Sequence, residues 1–227
     1  MDIISQTIDF FLPRTCISCQ SKLKKIEKYI CNTCLAAIKR TDKEFLKNEF
    51  LRKFETEKII SDFYSLFVFE KDKALQTVIH DLKYNGNIKV GHYLGKLLGE
   101  YFYQEIKNWK AELIIPVPLF HLKKAERGYN QSYYISKGLS EITSISVSER
   151  ALKRNRYTIS QTELNLEERK ENVKGAFTVK NKDLIVDKVI ILVDDVITTG
   201  ATISECGKVL KLNGASNVFA LSIAIAQ

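Results

Sequence analysis

VIILVDDVITTGAT, residues 189–202, is an unbroken apolar run that meets two adjacent aspartates, then a Thr-Thr-Gly turn and a helix-like segment. Val189 to Val193 are all β-branched or aliphatic, the composition of a strand covered on both faces in a parallel sheet. Such a strand carries Asp194 and Asp195 at its carboxyl edge, where open α/β sheets bind ligands. Ala201 to Leu212 continues as a helix, whose first N–H groups lack internal partners and attract an anion. Gly200 lets the backbone approach a phosphate, and the hydroxyls of Thr198, Thr199 and Thr202 add donors. Two carboxylates repel bare phosphate, so Asp194 and Asp195 suit sugar hydroxyls or a magnesium ion. One ligand that joins a phosphate to a free ribose diol satisfies both halves. Plain helix capping is the alternative, but a cap needs one Asp or Thr, not a paired acid followed by Thr-Thr-Gly-x-Thr.

A second pattern lies near the start of the chain. Cys16, Cys19, Cys31 and Cys34 form two C-x-x-C pairs separated by a short basic, hairpin-like stretch. Each pair places two sulfurs on one knuckle, and two knuckles close a four-thiolate shell around a structural zinc ion. Two disulfides are the competing reading. The lack of a secretory signal pattern and the use of only 5 Cys in 227 residues argue against it. The fifth, Cys206, falls inside the helix after the Thr-Thr-Gly turn and reads as a small core residue.

With 45% hydrophobic and 27% charged residues the chain can build a core without a membrane span. Met1 to Leu12 is apolar but is interrupted by Asp2, Gln6 and Asp9 and has no basic n-region. It reads as a short amphipathic helix beside the cysteine module, not as a targeting signal. The expected location is the cytoplasm, with a peripheral place at the inner membrane left open. Net charge is +8, from 35 Lys and Arg against 27 Asp and Glu. The excess is local: Lys22, Lys24, Lys25 and Lys28 lie between the cysteine pairs, and Lys39, Arg40 and Lys43 follow. With Tyr29 among them, these residues suit phosphates and stacked bases, while an ordinary solvated face accounts for them equally well.

Between the two ends, strand and helix signals alternate. A linking helix is expected within residues 41–60, a strand over Tyr64–Phe69 and a helix over Ala74–Tyr84 that stops before Asn85-Gly86. A longer helical pattern covers about Ile88–Trp109, with Leu94, Leu97, Leu98, Tyr101 and Phe102 on its core stripe. LIIPVPLF, residues 113–120, is a buried strand whose prolines, Pro116 and Pro118, force a rigid loop. Arg127, just before Gly128 and a helix starting near Asn130, either brings bidentate guanidinium donors to a phosphate group, assisted by Lys123 and Lys124, or is a surface residue beside a helix that Asn130 caps. Lys153 to Glu171 is polar with interspersed Arg and little core, the pattern of a solvated loop. Short strands over Ala176–Val179 and Asn217–Ala226 complete the pattern.

The 189–202 segment resembles the phosphoribosyl pyrophosphate (PRPP) loop of type I phosphoribosyltransferases. That resemblance implies that Asp194 and Asp195 hold the ribose hydroxyls, and that Thr198, Thr199, Gly200, Ala201 and Thr202 hold the 5′-phosphate. It also implies a pyrophosphate loop at Pro116 and Val117. Pro-Val-Pro-Leu, Arg127-Gly128-Tyr129-Asn130-Gln131-Ser132, the four-cysteine knuckle and Arg154-x-Arg156-x-Thr158-x-x-Gln161 together resemble the ComF family of bacterial competence proteins over nearly the whole chain. In one place the chain departs from that pattern: Phe120 precedes His121 where the resemblance implies a His. Arg154, Arg156, Thr158 and Gln161 are implied as contacts that close over the ligand, with Arg169 and Asn172 as supports.

The expected fold is therefore α/β, a type I phosphoribosyltransferase fold with a mostly parallel central sheet flanked by helices. A zinc module over residues 1–45 precedes the phosphoribosyltransferase-like domain over 46–227. Three functions remain open. In a transferase, a nucleobase or amine displaces magnesium pyrophosphate from ribose C1, with Asp194, Asp195 and Arg127 as the catalytic set. In a ComF-like protein, PRPP binding accompanies the handling of imported single-stranded DNA, with DNA and a competence helicase at the inner membrane as partners. A regulator that only senses PRPP fits the same residues.

Overall fold

The structure, a computed structural model, describes residues 13–71, 73–157 and 166–226, with the backbone alone at 166, 167, 169 and 170. The N-terminal amphipathic helix expected over Met1–Leu12, and Thr158 and Gln161, lie outside the described residues, as does the side chain of Arg169.

Five strands form one fully parallel sheet: β1 (Phe63–Phe69), β2 (Leu113–Pro116), β3 (Ser146–Val147), β6 (Val189–Ile197) and β7 (Asn217–Ala226), in the order β1-β7-β6-β2-β3. A separate antiparallel pair, β4 (Leu152–Arg154) with β5 (Phe177–Val179), stands outside it. The central strands are the most apolar, because a parallel strand is covered on both faces. Ile190 to Val193 and Leu221 and Ile223 to Ile225 are fully buried.

Chain direction reverses at the middle of this sheet. From β6 the chain moves to β7 on one side, and from β2 it moves to β3 on the other. Right-handed crossovers then place their connecting helices on opposite faces, and the crevice between the carboxyl ends of β6 and β2 is the topological switch point.

The helices are α1 (Asn32–Ala37), α2 (Lys43–Lys53), α3 (Ala74–Tyr84), α4 (Ile88–Tyr101), α5 (Tyr103–Asn108), α6 (His121–Arg127), α7 (Gln131–Thr143), α8 (Leu166–Val173) and α9 (Ala201–Leu212). The pattern expected as one helix over Ile88–Trp109 is two, broken at Phe102. Phe102 is core, but Tyr101 is 46% exposed and lies under the Arg40 guanidinium, 4.9 Å from it. Unbroken helix periodicity places both inward; the break after Tyr101 changes the phase of the stripe. Helix α6 follows the proline loop directly.

Helices α4 and α7 cross with almost no space between them. A Cβ on Gly95 would sit 2.0 Å from Ile135 O, and one on Gly138 would sit 2.0 Å from His92 O. Only glycine permits that approach, which seats α7, and with it the residues that begin it, firmly beside β2 and β6.

The cysteine module joins this body without a gap in the core: Leu23, Ile30 and Ile38 are buried in the same apolar cluster as Leu66 and Phe67. Residues 39–41 run antiparallel to β1, with Val68 N donating to Lys39 O at 2.9 Å and a bridge between Arg40 and Phe67. Asp42 then caps α2, accepting from Phe45 N at 2.8 Å, so this helix runs across residues 45 and 46.

Candidate functional site

Asp194 and Asp195 lie near the carboxyl end of β6, at the switch point. Asp195 is 4% exposed, and its Oδ2 is 2.6 Å from the Nζ of Lys83, on the last turn of α3. Asp194 Oδ1 accepts from Ser132 Oγ at 3.0 Å and from the Asp195 amide at 2.9 Å. Two carboxylates in contact, Asp195 buried and Asp194 half-buried, do not ionise alike. Burial, and then the charge of Asp195, push Asp194 up to about 8. Burial also acts to raise Asp195, but the charge and hydrogen bond of Lys83 outweigh it and hold Asp195 below the ordinary value. For Lys83, burial acts to lower the pKa, and the charges of Asp195 and Asp194 more than offset it.

Beyond the acids, cations converge from separate elements. Burial, followed by the charges of Arg127 and Arg154 and, more weakly, Lys83, holds Lys123 below the usual lysine value against the opposing charge of Glu126. Arg127 ends α6 just before the left-handed Gly128, donates to Gln131 Oε1 at 3.1 Å and packs over the Tyr84 ring. Arg154, on β4, packs over Phe177 and lies close enough to Asp194 for the carboxylate to favour its charge against the burial that disfavours it. Lys124 points elsewhere, 3.6 Å from Glu149. Arg156 is also turned away: its Nη2 donates to Lys174 O at 2.7 Å and Asn172 O at 3.1 Å, around the carboxyl end of α8. His121 is exposed, while Phe120 is buried against it and packs edge-on to Tyr157.

The turn after β6 is held from beneath. Gly200 has φ +84°, a left-handed conformation, and leads straight into α9. Thr199 Oγ1 accepts from Ala201 N at 3.4 Å. Pro116 ends β2 beside Val193, Val117 N donates to Val193 O at 2.9 Å, and Asn130 joins the two loops by donating from Nδ2 to Val117 O at 3.0 Å. The start of a long helix, a pair of carboxylates and a cluster of cations thus border one crevice.

At the other site, the Sγ atoms of Cys16, Cys19, Cys31 and Cys34 all lie within 4.8 Å of one another. The Cys19 to Cys31 separation is 3.7 Å, close to the roughly 3.8 Å that tetrahedral Zn–S bonds impose. Cys31 N donates to Cys16 Sγ at 3.3 Å and Cys34 N to Cys31 Sγ at 3.4 Å. Hydrogen bonds from Ser21 hold Cys19 down to about 6, whereas burial pushes Cys34 up to about 12. Four sulfurs this close form a donor set that fits zinc. All five cysteines are free thiols, and Cys206 is fully buried in α9. Tyr29, expected as a stacking platform, is half-buried against the Tyr93 ring at 5.5 Å.

The chain is 32% identical over 154 residues to competence protein F of Haemophilus influenzae, covering 64% of this chain and 66% of that one. The chain is a homologue of the ComF competence proteins. It is also 31% identical over 147 residues to the DNA utilization protein YhgH of Escherichia coli K12, over 63% of this chain and 64% of that one. Competence protein ComFC of Streptococcus pneumoniae matches at 28% over 156 residues, 69% of this chain and 66% of that one. The matches span just under two thirds of these ComF-type relatives' own length. No family model matches. Among solved structures, an allosteric regulatory enzyme of purine biosynthesis is similar at TM-score 0.40 and 23% identity, over 58% of this chain and 25% of that one. A glutamine PRPP amidotransferase from B. subtilis is similar at 0.42 and 21%, over 63% and 30%. Likeness at this level carries no argument about chemistry.

Sequence pattern alone does not single out Lys83 or Ser132. Ser132 belongs to the Arg127–Ser132 run but reads there as part of a helix start. Lys83 has one usable signal: it directly follows the buried stripe Leu75, Val78, Ile79 and Leu82 and precedes an Asn-Gly stop. No helix among the described residues is long and apolar enough to cross a membrane.

Proposed function

We propose that this ComF homologue binds PRPP, or a related phosphorylated ribose, with Mg2+ in the crevice between β6 and β2, and takes part in handling imported single-stranded DNA. One observation carries the ligand reading: the acid pair at the switch point, between the N-terminus of α9 and the cations Lys83, Lys123, Arg127 and Arg154. In this reading Asp194 and Asp195 hold the ribose hydroxyls. The 198–202 turn and the α9 dipole hold the 5′-phosphate. The cations beside Pro116 and Val117 hold pyrophosphate, bridged by the metal ion. Arg156 adds a further phosphate contact by exchanging its hydrogen bonds to Lys174 O and Asn172 O for the ligand. The DNA role is supported by the names of the sequence relatives and by the lysine-rich 22–28 loop on a zinc-stabilised module. Residues 1–45 then form the nucleic-acid and helicase-facing module of a protein that works in the cytoplasm beside the inner membrane.

A transferase is the second reading, favoured by the same convergence of charges. Positioning and neutralisation of the leaving pyrophosphate by Arg127 supply the rate, and no neighbouring group stands out as a general base among the described residues. Pyrophosphate release from PRPP and Mg2+, with a panel of nucleobases, amines and single-stranded DNA, separates the readings. Acceptor-dependent release establishes the transferase. Binding of PRPP without release supports the DNA-handling protein, and absence of PRPP binding by the folded, zinc-loaded chain overturns both.

A further inference from the structure

Helix α2 lies far from the ligand crevice in sequence, yet it ends directly beneath the turn that the proposed function assigns to a phosphate. Lys53, its last residue, has a side chain only 5% exposed. Its Nζ donates to the backbone carbonyl of Thr198, in the turn itself, and to Ala226 O, near the end of β7, at 3.1 Å. Glu49, buried one turn earlier, balances the charge from 3.2 Å and also receives Arg52 at 2.6 Å. Phe54 follows, fully buried, with its ring against Gly200: a Cβ added there would be 2.8 Å from Phe54 Cε1 and 3.3 Å from Lys53 Cβ.

A buried lysine is costly unless it is paired and its protons are taken up by acceptors. Here it has a partner carboxylate and two backbone carbonyls, one from each neighbouring loop end. The carbonyl of Thr198 therefore points down into the protein, toward Lys53, and the Thr199 N–H, trans to it across the same peptide, points the opposite way. Phe54 fills the volume under Gly200, so the left-handed glycine is the only residue that lets the turn sit this low.

We infer that Lys53 and Phe54 are positioning residues for the phosphate turn: they set the backbone of residues 198–200 in its anion-receiving form without touching the ligand. This rests on the reading of that turn as a phosphate site. It also gives the segment that links the cysteine module to the sheet a direct hold on the crevice, since α2 follows the 39–41 stretch paired with β1.

The test uses the full zinc-loaded chain as wild type, Lys53→Met and Phe54→Leu. Lys53→Met keeps the stem and removes the charge; Phe54→Leu keeps the charge and opens space, so one variant remains informative if the other folds poorly. Two readouts are taken: hydrogen exchange of the 199–203 amides without ligand, and calorimetric affinity for ribose 5-phosphate against inorganic pyrophosphate, each with Mg2+. Exchange at 199–203 is expected to rise about tenfold with α7 unchanged, and ribose 5-phosphate to weaken about tenfold while pyrophosphate stays within about twofold. Unchanged exchange at 199–203, or equal weakening of both ligands, overturns the positioning role and leaves at most a general contribution to folding. If wild type binds neither ligand while exchange still rises selectively, the clamp stands as a structural fact and the phosphate reading of the turn is what fails.

Discussion

The cysteine cluster and the acid crevice are both concentrations of charged or chargeable groups, yet they are built in opposite ways. All four thiols come from residues 16–34, in two local knuckles whose sulfurs lie close enough to share one metal ion. The crevice draws Lys83 from α3, Lys123 and Arg127 from α6, Ser132 from α7, Arg154 from β4 and the acids from β6. One is a local device with a donor set for a metal; the other exists only when the sheet places distant loop ends together. Perturbations should therefore split cleanly between them.

The largest effect is expected from the metal. Wild type should carry about one zinc per chain, and because structural zinc is worth on the order of 10 kcal/mol, Cys31→Ser or strong chelation should abolish amide protection across residues 14–38. Protection in β6 and β7 should survive, as read by hydrogen exchange. Collapse of both regions together would break the contrast.

Next comes the buried ion pair. Lys83→Met strands Asp195 and should cost about 3–5 kcal/mol in denaturant unfolding, most of it recovered in the Lys83→Met/Asp195→Asn double variant. Equal loss in the single and double variants would mean that the pair itself contributes little.

The acid pair should also leave a pH signature. The Asp194 pKa is raised, to about 8, from an ordinary value of 3.8. The folded state then binds a proton that the unfolded state releases, so this contribution is full below the ordinary value and is lost as pH rises toward about 8. Thermal melts should show Asp194→Asn matching wild type near pH 4 and exceeding it near pH 8. A parallel pair of curves would contradict the assignment.

Gly200→Ala comes next, at about 1–2 kcal/mol, from the left-handed backbone and the Phe54 contact, with a measurable drop in ligand affinity. Replacing Lys22, Lys24, Lys25 and Lys28 by Ser should change stability least, within about 0.5 kcal/mol per site, because all four are exposed. In single-strand binding, the log-log salt slope should become shallower by about 0.7 for each DNA phosphate that these lysines no longer neutralise.

What could be read from residues follows the same division. The Cys-x-x-C pairs, the β6 strand with its acids and the α9 helix were legible, because local spacing and hydrophobic period carry them. The α3 helix from Ala74 to Tyr84 and strand β7 from Asn217 to Ala226 were legible for the same reason. Arg156 binds the carbonyls at the end of α8 in this structure, partners that its place in a polar loop does not reveal. Tyr29 and Tyr101 showed aromatic character but not which neighbour would take each ring. Lys53 and Lys83 were hidden because a lysine near a helix end ordinarily faces water. Only the three-dimensional meeting of α2 with the 198–200 turn, and of α3 with β6, assigns them partners.

The central claim is that the crevice at the β6–β2 switch point binds a phosphorylated ribose through its acid pair. Calorimetric titration of PRPP with Mg2+ into the zinc-loaded wild type and into the Asp194→Asn/Asp195→Asn variant tests it most directly. Saturable binding to wild type that is lost in the folded variant is the expected result; no binding to wild type, or equal binding to both, would contradict the account.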